Sequence, residues 1–251
     1  MSGIETWRFE LCNSAVAWSG NRFESEPGGV VALSGSARAE GNVLYCFGDE
    51  GRDLMTRRVA EFPRKGPPRL MMVAGEALGW TQILIDDGWV CVGATPAMRM
   101  PTAKVDPAPA GDRDVRRLNE ADMAQARTLF GQAYDADATE AELMLPDAGT
   151  SSENVAIWGL DLDGELKSIV VTSDVNDATV IWSMSTPPQH QRRGYGRRLT
   201  RTVIARKRET GSENILLFAS PVGRALYRSL GFEDLEHWQE WSRPRWVFGR
   251  T

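Results

Sequence analysis

The sequence predicts a mixed α/β fold in two domains, the first smaller than the second. Apolar, partly β-branched runs alternate with segments in which apolar residues recur every three or four positions, the patterns of strands and helices. Between the halves, residues 101–111 are rich in proline and alanine, which is typical of an extended linker. The 251 residues suffice for two domains of about 100–150 residues. We therefore predict a supporting domain over residues 1–105 and a second domain over 112–251.

The composition argues against several classes of protein. The apolar content of 42% is ordinary for a globular chain, and a net charge of −5 argues against general nucleic-acid binding. No run approaches the ~18 apolar residues of a membrane helix, and the N-terminus lacks a signal-peptide pattern. Cys12, Cys46 and Cys91 are odd in number and widely spaced, as in reduced cytoplasmic proteins. Two histidines, His190 and His237, are too few for a histidine-rich metal site.

The first half carries short apolar runs that predict strands at residues 28–33, 42–47, 70–73 and 89–92. Two helices are predicted between them, one over 49–61 with Asp49 as N-cap and Pro63 as stop, the other over 76–86. This half holds no phosphate loop, nucleophile elbow or metal-ligand cluster in its sequence. We therefore predict that this half supports or covers a site formed by other residues.

After the linker, the pattern is sharper. A short strand at 114–118 is followed by Asn119, an N-cap for a helix through Tyr134 with Asp122 in its first turn. Asp137 or Thr139 then opens a second helix that ends at Leu145, before a proline. An Asp-Gly turn at 163–164 between apolar runs predicts a hairpin of strands 155–160 and 166–171.

The remaining elements complete the order β-α-α-β-β-β-α-β-α-β. They are a strand at 178–186, a basic helix at 192–209, a strand at 214–218, a helix at 221–230 and one or two closing strands. Pro221 suits a first helical position and Gly231 suits a helix end. On the last helix, Ala225, Leu226 and Leu230 are expected to face inward.

The segment Gln191 to Leu199 joins a strand to a helix through Gly194 and Gly196. The first N–H groups of a helix lack partners within the helix, and its dipole adds positive charge there. Glycine lets the main chain approach a ligand closely, and four arginines lie in the same segment. This arrangement predicts a site for a diphosphate. The alternative is a basic helix that is merely solvated or faces RNA, which would need neither glycine.

This half resembles the GNAT superfamily of acetyl-CoA-dependent N-acetyltransferases over about residues 112–245. Gln191, Gly194 and Gly196 match its pyrophosphate-loop motif, Gln/Arg-x-x-Gly-x-Gly/Ala, and residues 226–232 match its closing Leu-Tyr-x-x-Leu-Gly-Phe. The resemblance implies an α/β (α+β) fold with a mixed, mostly antiparallel central sheet flanked by helices. It also implies acetyl-CoA as co-substrate and no metal. The first half is similar in a vaguer way to the degenerate first half of tandem GNAT proteins.

The resemblance further implies which residues hold the co-substrate. The strand before the loop would splay from its neighbour, so that the Met184 N–H faces the thioester carbonyl and Thr186 pairs with the pantetheine arm. Ser220 would touch the pantetheine or, equally well, cap the helix at Pro221. The implied set is Met184, Ser185, Thr186, Gln191, Arg192, Arg193, Gly194, Tyr195, Gly196, Arg197 and Ser220.

Tyr227 is the predicted catalytic acid, because a phenol with a pKa of about 10 can protonate a departing thiolate. The alternative is a core aromatic residue between Leu226 and Leu230. Relatives often carry a glutamate base on the strand before the loop, but residues 181–183 here are Ile-Trp-Ser. His190, Glu142, Glu233 or a water chain could serve instead.

The leading prediction is acetyl transfer to a primary amine of a small molecule or protein in a ternary complex. Trp158, Trp182 and the tail tryptophans could line an acceptor pocket, although core packing is commoner for tryptophan. The alternative function is a non-catalytic acyl-CoA-binding regulatory module. We expect a monomer or homodimer that binds neither membrane nor nucleic acid.

Overall fold

The computed structural model describes residues 3–17, 22–62, 66–104, 112–147 and 153–247. They divide into two compact units, one within residues 1–97 and 235–251 and the other within residues 98–234. The predicted domains, 1–105 and 112–251, assign residues 235–247 to the second domain, whereas these residues lie in the first compact unit. Within the described ranges, no helix combines the length and apolar character needed to cross a membrane.

The first unit is built on a sheet in the order β1-β2-β3-β4-β11. Neighbours are antiparallel except β3 and β4, which are parallel. Its elements are α1 (Gly3–Asn13), β1 (Arg22–Glu26), β2 (Gly29–Leu33), β3 (Asn42–Cys46), α2 (Gly51–Glu61), β4 (Leu70–Val73), α3 (Gln82–Asp86), β5 (Val90–Pro101), β11 (Glu233–Ser242) and α8 (Pro244–Val247). The unit borders fall inside β5 and β11. The core of this unit packs aliphatic residues of β2, β3 and β4 with Trp89 and Trp241.

The strand predictions in this half are confirmed, but several details are wrong. Helix α2 begins at Gly51, and the chain enters it through Glu50 rather than Asp49, without a side-chain cap. The helix predicted over 76–86 is divided into a 3₁₀ segment, Gly75–Trp80, and α3, where Gly79 weakens the helical pattern. The last strand continues from Val90 to Pro101. The predicted stop, Pro63, and most of the linker, 105–111, lie outside the described residues.

The second unit contains the order of elements that the sequence predicts. They are β6 (Val115–Arg117), α4 (Met123–Tyr134), α5 (Ala138–Met144), β7 (Val155–Leu162), β8 (Glu165–Val175), β9 (Ala178–Ser185), α6 (Tyr195–Glu209), β10 (Asn214–Phe218) and α7 (Pro221–Leu230). The sheet order is β10-β9-β8-β7-β6. Only β10 and β9 are parallel among these neighbours, so the sheet is mixed and mostly antiparallel, as expected. Helix α4 packs on β8 and β9, and α6 packs on β7 and β8.

Local capping explains several of these boundaries. The Asn119 side chain accepts a hydrogen bond from the Ala121 N–H, and the Asp122 carboxylate accepts one from the Asn119 N–H. Asp137, the first of the two predicted openers, caps α5 through the Glu140 N–H. The Asp163-Gly164 turn between β7 and β8 has positive φ at both residues, 56° and 81°, which matches the twist of a tight hairpin.

The end of the chain differs from the sequence prediction. One closing strand, β11, is followed by the short α8, and Phe248 and the Trp246 side chain lie outside what is described. On α7, Ala225 is exposed and Leu226 and Leu230 are only half-buried, whereas Tyr227 is the buried residue. The inward face of α7 is therefore centred on Tyr227.

Candidate functional site

The site begins where β9 and β10 part. Their parallel ladder runs from the pair Asn214–Ala178 to the pair Leu217–Ile181 and ends there. On the other side of β9, the pairing with β8 shifts register, so that residues 183 and 184 bulge opposite Val170. Ser183 has a φ of 48°, in the left-handed region that non-glycine residues seldom occupy. The bulge turns this part of β9 away from β10 and opens the sheet.

The glycine loop follows directly after β9. Gly194 takes a φ of 80° and is the N-cap of α6, so the chain turns sharply into the helix. Gly196 is the second residue of α6, where an added Cβ would come within 2.8 Å of the Met184 Cε. The first turn of α6 therefore packs closely over the bulged strand. Its N–H groups have no acceptor within the helix and are oriented to receive an anion.

The arginines near the loop have separate roles. Arg198 donates to Asp112 at 2.7 and 2.8 Å and to Asp114 at 2.6 Å, and this contact lowers the pKa of Asp112. Further along α6, Arg206 stacks on Trp158 and Lys207 pairs with Asp174. These cations stabilise the unit itself. Arg192 and Arg197 instead line the opening between β9 and α6.

Tyr227 on α7 closes the other side of the opening. Only 6% of the residue is exposed, and its ring meets the edge of Phe232 at 5.4 Å between centroids. Burial raises the pKa of its phenol, and the nearby Tyr134 adds to this effect. Tyr227 therefore keeps its proton at neutral pH. Ser220 accepts a hydrogen bond from the Gly223 N–H at 3.1 Å and so caps α7.

These elements enclose a cleft of about 870 Å³, large enough for a cofactor-sized ligand. It is called the cleft below. It is lined by Ala133, Tyr134, Ile181, Trp182, Ser183, Met184, Thr186, His190, Gln191, Arg192, Gly194, Tyr195, Gly196, Arg197, Phe218, Ser220, Val222, Gly223, Ala225, Leu226 and Tyr227. The lining thus combines the N-terminus of α6 and two arginines with several aromatic rings.

Comparison with known proteins agrees with this geometry. The family profile of the acetyltransferase (GNAT) domain matches residues 153–234, which include the bulged strand, the loop and Tyr227. Residues 153–234 belong to the GNAT acetyltransferase family. No curated protein matches the chain in sequence.

Solved structures show the same fold over nearly the whole chain. A GCN5-related N-acetyltransferase from Kribbella flavida is 17% identical and has a TM-score of 0.63, with 93% of this chain and 96% of that chain covered. A GNAT-family acetyltransferase from Novosphingobium aromaticivorans is 15% identical, with a TM-score of 0.60 and coverage of 94% and 96%. A GCN5-related N-acetyltransferase from Sphaerobacter thermophilus is 13% identical, with a TM-score of 0.57 and coverage of 86% and 76%. At these identities the likeness concerns the fold.

Within the acetyltransferase domain, most residues predicted to hold the co-substrate come together in the cleft. The exceptions are Ser185, which is buried at the end of β9, and Arg193, which is exposed beside the opening. The Thr186 carbonyl, predicted to pair with the pantetheine, already accepts a hydrogen bond from the Gln191 side chain at 3.0 Å. Since a carbonyl oxygen has two lone pairs, it can still accept another. Ser220 both lines the cleft and caps α7.

The candidate bases named from the sequence are dispersed. His190 lines the cleft, and its Nε2 lies 2.9 Å from Glu165. Glu142 lies on α5, beside a separate surface depression formed with α4. Glu233 pairs with Lys104 at 2.7 Å. Of the three, His190 alone lines the cleft as described, and no group of three or more metal-ligating side chains occurs in the described ranges.

Among the described tryptophan side chains that were considered for an acceptor pocket or for core packing, only one lines the cleft. Trp182 lines the cleft opposite Phe218, with ring centroids 6.4 Å apart. Trp158 packs beneath Arg206 and donates to Thr172 at 3.0 Å, and Trp238 and Trp241 are buried in the first unit. Trp158, Trp238 and Trp241 therefore pack within the protein and do not line the cleft. Tyr134 was not predicted as a site residue, because its place at the end of α4 gives no sign in the sequence that it faces the cleft.

Proposed function

We propose that this protein transfers an acetyl group from acetyl-CoA to a primary amine of a small molecule or protein. The proposal is carried by the cleft, which is lined by the N-terminus of α6, the bulged part of β9 and the buried phenol of Tyr227. The amine would attack the carbonyl carbon directly in a ternary complex. A C–N bond forms, the C–S bond breaks, and the amine loses one proton as the sulfur gains one.

The diphosphate would bind at the first turn of α6. The unpaired N–H groups there favour an anion, and Arg192 and Arg197 line the same end of the cleft. Arginine hydrogen bonds to phosphate are among the stronger protein contacts. This half of the proposal predicts that the helix terminus binds coenzyme A even when no acyl group is attached.

The thioester would lie along the bulged part of β9. We propose that the Met184 N–H donates to the carbonyl oxygen, whose negative charge grows as the amine attacks. The ladder with β10 ends at Ile181, three residues earlier, so β10 offers no acceptor at this level. Tyr227, protonated at neutral pH because of its burial, would give its proton to the sulfur.

We further propose that the first unit is the degenerate half of a tandem GNAT protein. Its sheet and helices resemble an α/β layer, and the solved GNAT neighbours cover both units. We place the reaction in the cytoplasm, since the three cysteines are all free thiols, as is usual in a reducing compartment.

A second candidate is a regulatory module that binds acyl-CoA without catalysis. It is favoured by the lack of a carboxylate at residues 181–183 and among the described residues that line the cleft. The two candidates share the binding step and differ in turnover. Under the regulatory alternative, coenzyme A would bind tightly and no amine would release thiol.

The test has two stages. Isothermal calorimetry with acetyl-CoA and with coenzyme A measures binding, and thiol release from acetyl-CoA across a panel of amines and peptides measures transfer. Binding together with amine-dependent thiol release supports the proposal. Binding without release across the panel would favour the regulatory module, and no binding of either compound would refute both.

A further inference from the structure

The carbonyls of the β9 bulge are each held by a side-chain hydroxyl. The Ser185 hydroxyl donates to the Ser183 carbonyl at 2.8 Å, and the Tyr134 hydroxyl donates to the Met184 carbonyl at 3.0 Å. The Ser168 hydroxyl donates to the Ser185 carbonyl at 2.9 Å. Three successive peptide groups are thus held by side-chain hydroxyls of β9 itself, of α4 and of β8, at the point where the sheet gives no ladder partner on the β10 side.

Such contacts have a defined effect on the Met184 N–H. In a trans peptide the C=O and N–H point in opposite directions, so the hydroxyl on the Ser183 carbonyl sets the direction of the Met184 N–H. The Tyr134 hydroxyl fixes the next peptide plane and so removes the remaining rotation at Met184. The strained φ of Ser183 persists because the surrounding contacts determine it.

Tyr134 is suited to this role by its position. It ends α4, fifty positions before Met184 in the chain, and its ring packs on Phe130 at 4.8 Å. The ring also lines the cleft, while its surroundings desolvate the phenol and raise its pKa, an effect that a contact from Ser185 partly opposes. The hydroxyl therefore stays protonated and can keep donating to the Met184 carbonyl.

We infer that the Tyr134 and Ser185 hydroxyls are positioning groups that aim the Met184 N–H at the carbonyl of the bound thioester. This inference rests on the proposed function, since it assigns the part of β9 that would meet the acyl group. Tyr134 and Tyr227 then have different tasks. Tyr134 already donates its proton to the backbone, whereas the Tyr227 hydroxyl makes no hydrogen bond to another described residue and is available to the ligand.

The test compares two ligands that differ only in the acyl group. Calorimetry with acetyl-CoA and with coenzyme A is performed on the wild type, on Tyr134→Phe and on Ser185→Ala. Because a hydrogen bond of this kind contributes a factor of about two to ten, each variant is expected to lose about fivefold in acetyl-CoA affinity. Coenzyme A affinity is expected to stay within about twofold, since coenzyme A has no carbonyl at this position.

A spectroscopic measurement gives an independent reading. The infrared band of a ¹³C-labelled thioester carbonyl shifts to lower frequency when a hydrogen-bond donor polarises it. The bound wild type is expected to show this shift, and Tyr134→Phe is expected to reduce it. The control is Thr128→Val on the same helix, whose hydroxyl bonds within α4 to the Ala124 carbonyl and which does not line the cleft.

The outcomes distinguish a failure of the positioning role from a failure of the proposed function. A selective loss of acetyl-CoA affinity with a reduced carbonyl shift supports the positioning role. If Tyr134→Phe leaves the ratio of the two affinities unchanged, the role is overturned, whether the affinities stay or fall together. If the wild type binds neither compound, the proposed function itself fails. Tyr134→Phe keeps the ring contact with Phe130, so the comparison remains possible if Ser185→Ala does not fold.

Discussion

Replacing Tyr227 with Phe is the most direct test of the chemistry. The change removes one oxygen and keeps the ring, so the edge contact with Phe232 at 5.4 Å is retained. Since the hydroxyl has no hydrogen-bond partner among the described residues, folding should lose less than about 1 kcal/mol. The effect on catalysis should be far larger. A positioned proton donor typically contributes about 10²- to 10⁴-fold to the rate, so we expect turnover to fall at least about a hundredfold.

The assay is steady-state thiol release with a fixed amine, together with calorimetry of coenzyme A. We expect kcat to fall while coenzyme A affinity changes by less than about twofold, because the phenol acts on the sulfur only as it leaves. Tyr45→Phe is the matched control, since Tyr45 is a buried phenol of the first unit and its pKa is also raised by burial. An unchanged kcat in Tyr227→Phe would refute Tyr227 as the acid. A fall shared equally by kcat and coenzyme A affinity would make it a binding residue.

The raised pKa of Tyr227 also has a consequence for folding at high pH. The folded protein holds this proton more tightly than the unfolded chain, whose phenols titrate near pH ~10. The contribution is therefore complete below pH ~10 and is lost as the pH rises through the folded value. Thermal unfolding above pH ~10 should be less steeply pH-dependent in Tyr227→Phe than in the wild type.

Three further predictions concern the loop and α7. Gly194→Ala forces a Cβ onto a φ of 80° and should lower the free energy of unfolding by about 1–2 kcal/mol in denaturant titrations. Gly196→Ala should leave that free energy nearly unchanged, because the Met184 methyl can move and alanine favours a helix. Arg197→Met should weaken coenzyme A binding about threefold to tenfold at low salt and less at high salt, whereas Arg198→Met should lower the thermal midpoint and leave affinity intact. Hydrogen bonds from two arginines lower the pKa of Asp234 to about 2. The stability that this carboxylate contributes is therefore complete above the ordinary pKa of an aspartate and is lost as the pH falls through about 2. Asp234→Asn should lower the thermal midpoint at pH ~6, and its difference from the wild type should shrink toward pH ~2.

Contrary results would be equally clear. Equal stability of the two glycine variants would mean that the left-handed turn is not required. A salt-independent loss on changing Arg197, or a loss of affinity on changing Arg198, would contradict the division of the arginines. A constant midpoint difference across the acidic range would exclude Asp234 as the source of the pH dependence.

Local signals account for what could be predicted from the sequence. Asn119 and Asp122 cap a helix through contacts three residues apart, and the Asp-Gly turn at 163–164 fixes a hairpin within its own four residues. Gly194 predicts the left-handed turn into α6, and Gly196 predicts the close approach of α6 to its surroundings. Each of these features depends on neighbours in the chain, and so each can be read without the fold.

Elements that depend on distant partners could not be predicted in this way. Strand β1 has the polar sequence Arg-Phe-Glu-Ser-Glu, with no alternation of strongly apolar residues. It is a strand because it pairs with β2, and because the buried Arg58, more than thirty positions away, accommodates the carboxylates of Glu24 and Glu26. Helix α1 was missed for a related reason, since the Arg8 side chain is held by Glu236 at the other end of the chain.

The opening of the sheet follows from several weak features that act together. Prolines 187 and 188 cannot extend a ladder, the Ser183 backbone is turned into the left-handed region, and two residues of β9 face one of β8. None of these alone would separate two parallel strands. Together they turn the end of β9 toward hydroxyls contributed by its own strand, by β8 and by α4, so that side chains take over the role of the missing neighbour. A strand held in this way keeps its shape whether or not a ligand is present, which is the condition for a fixed hydrogen-bond donor to act on a developing charge.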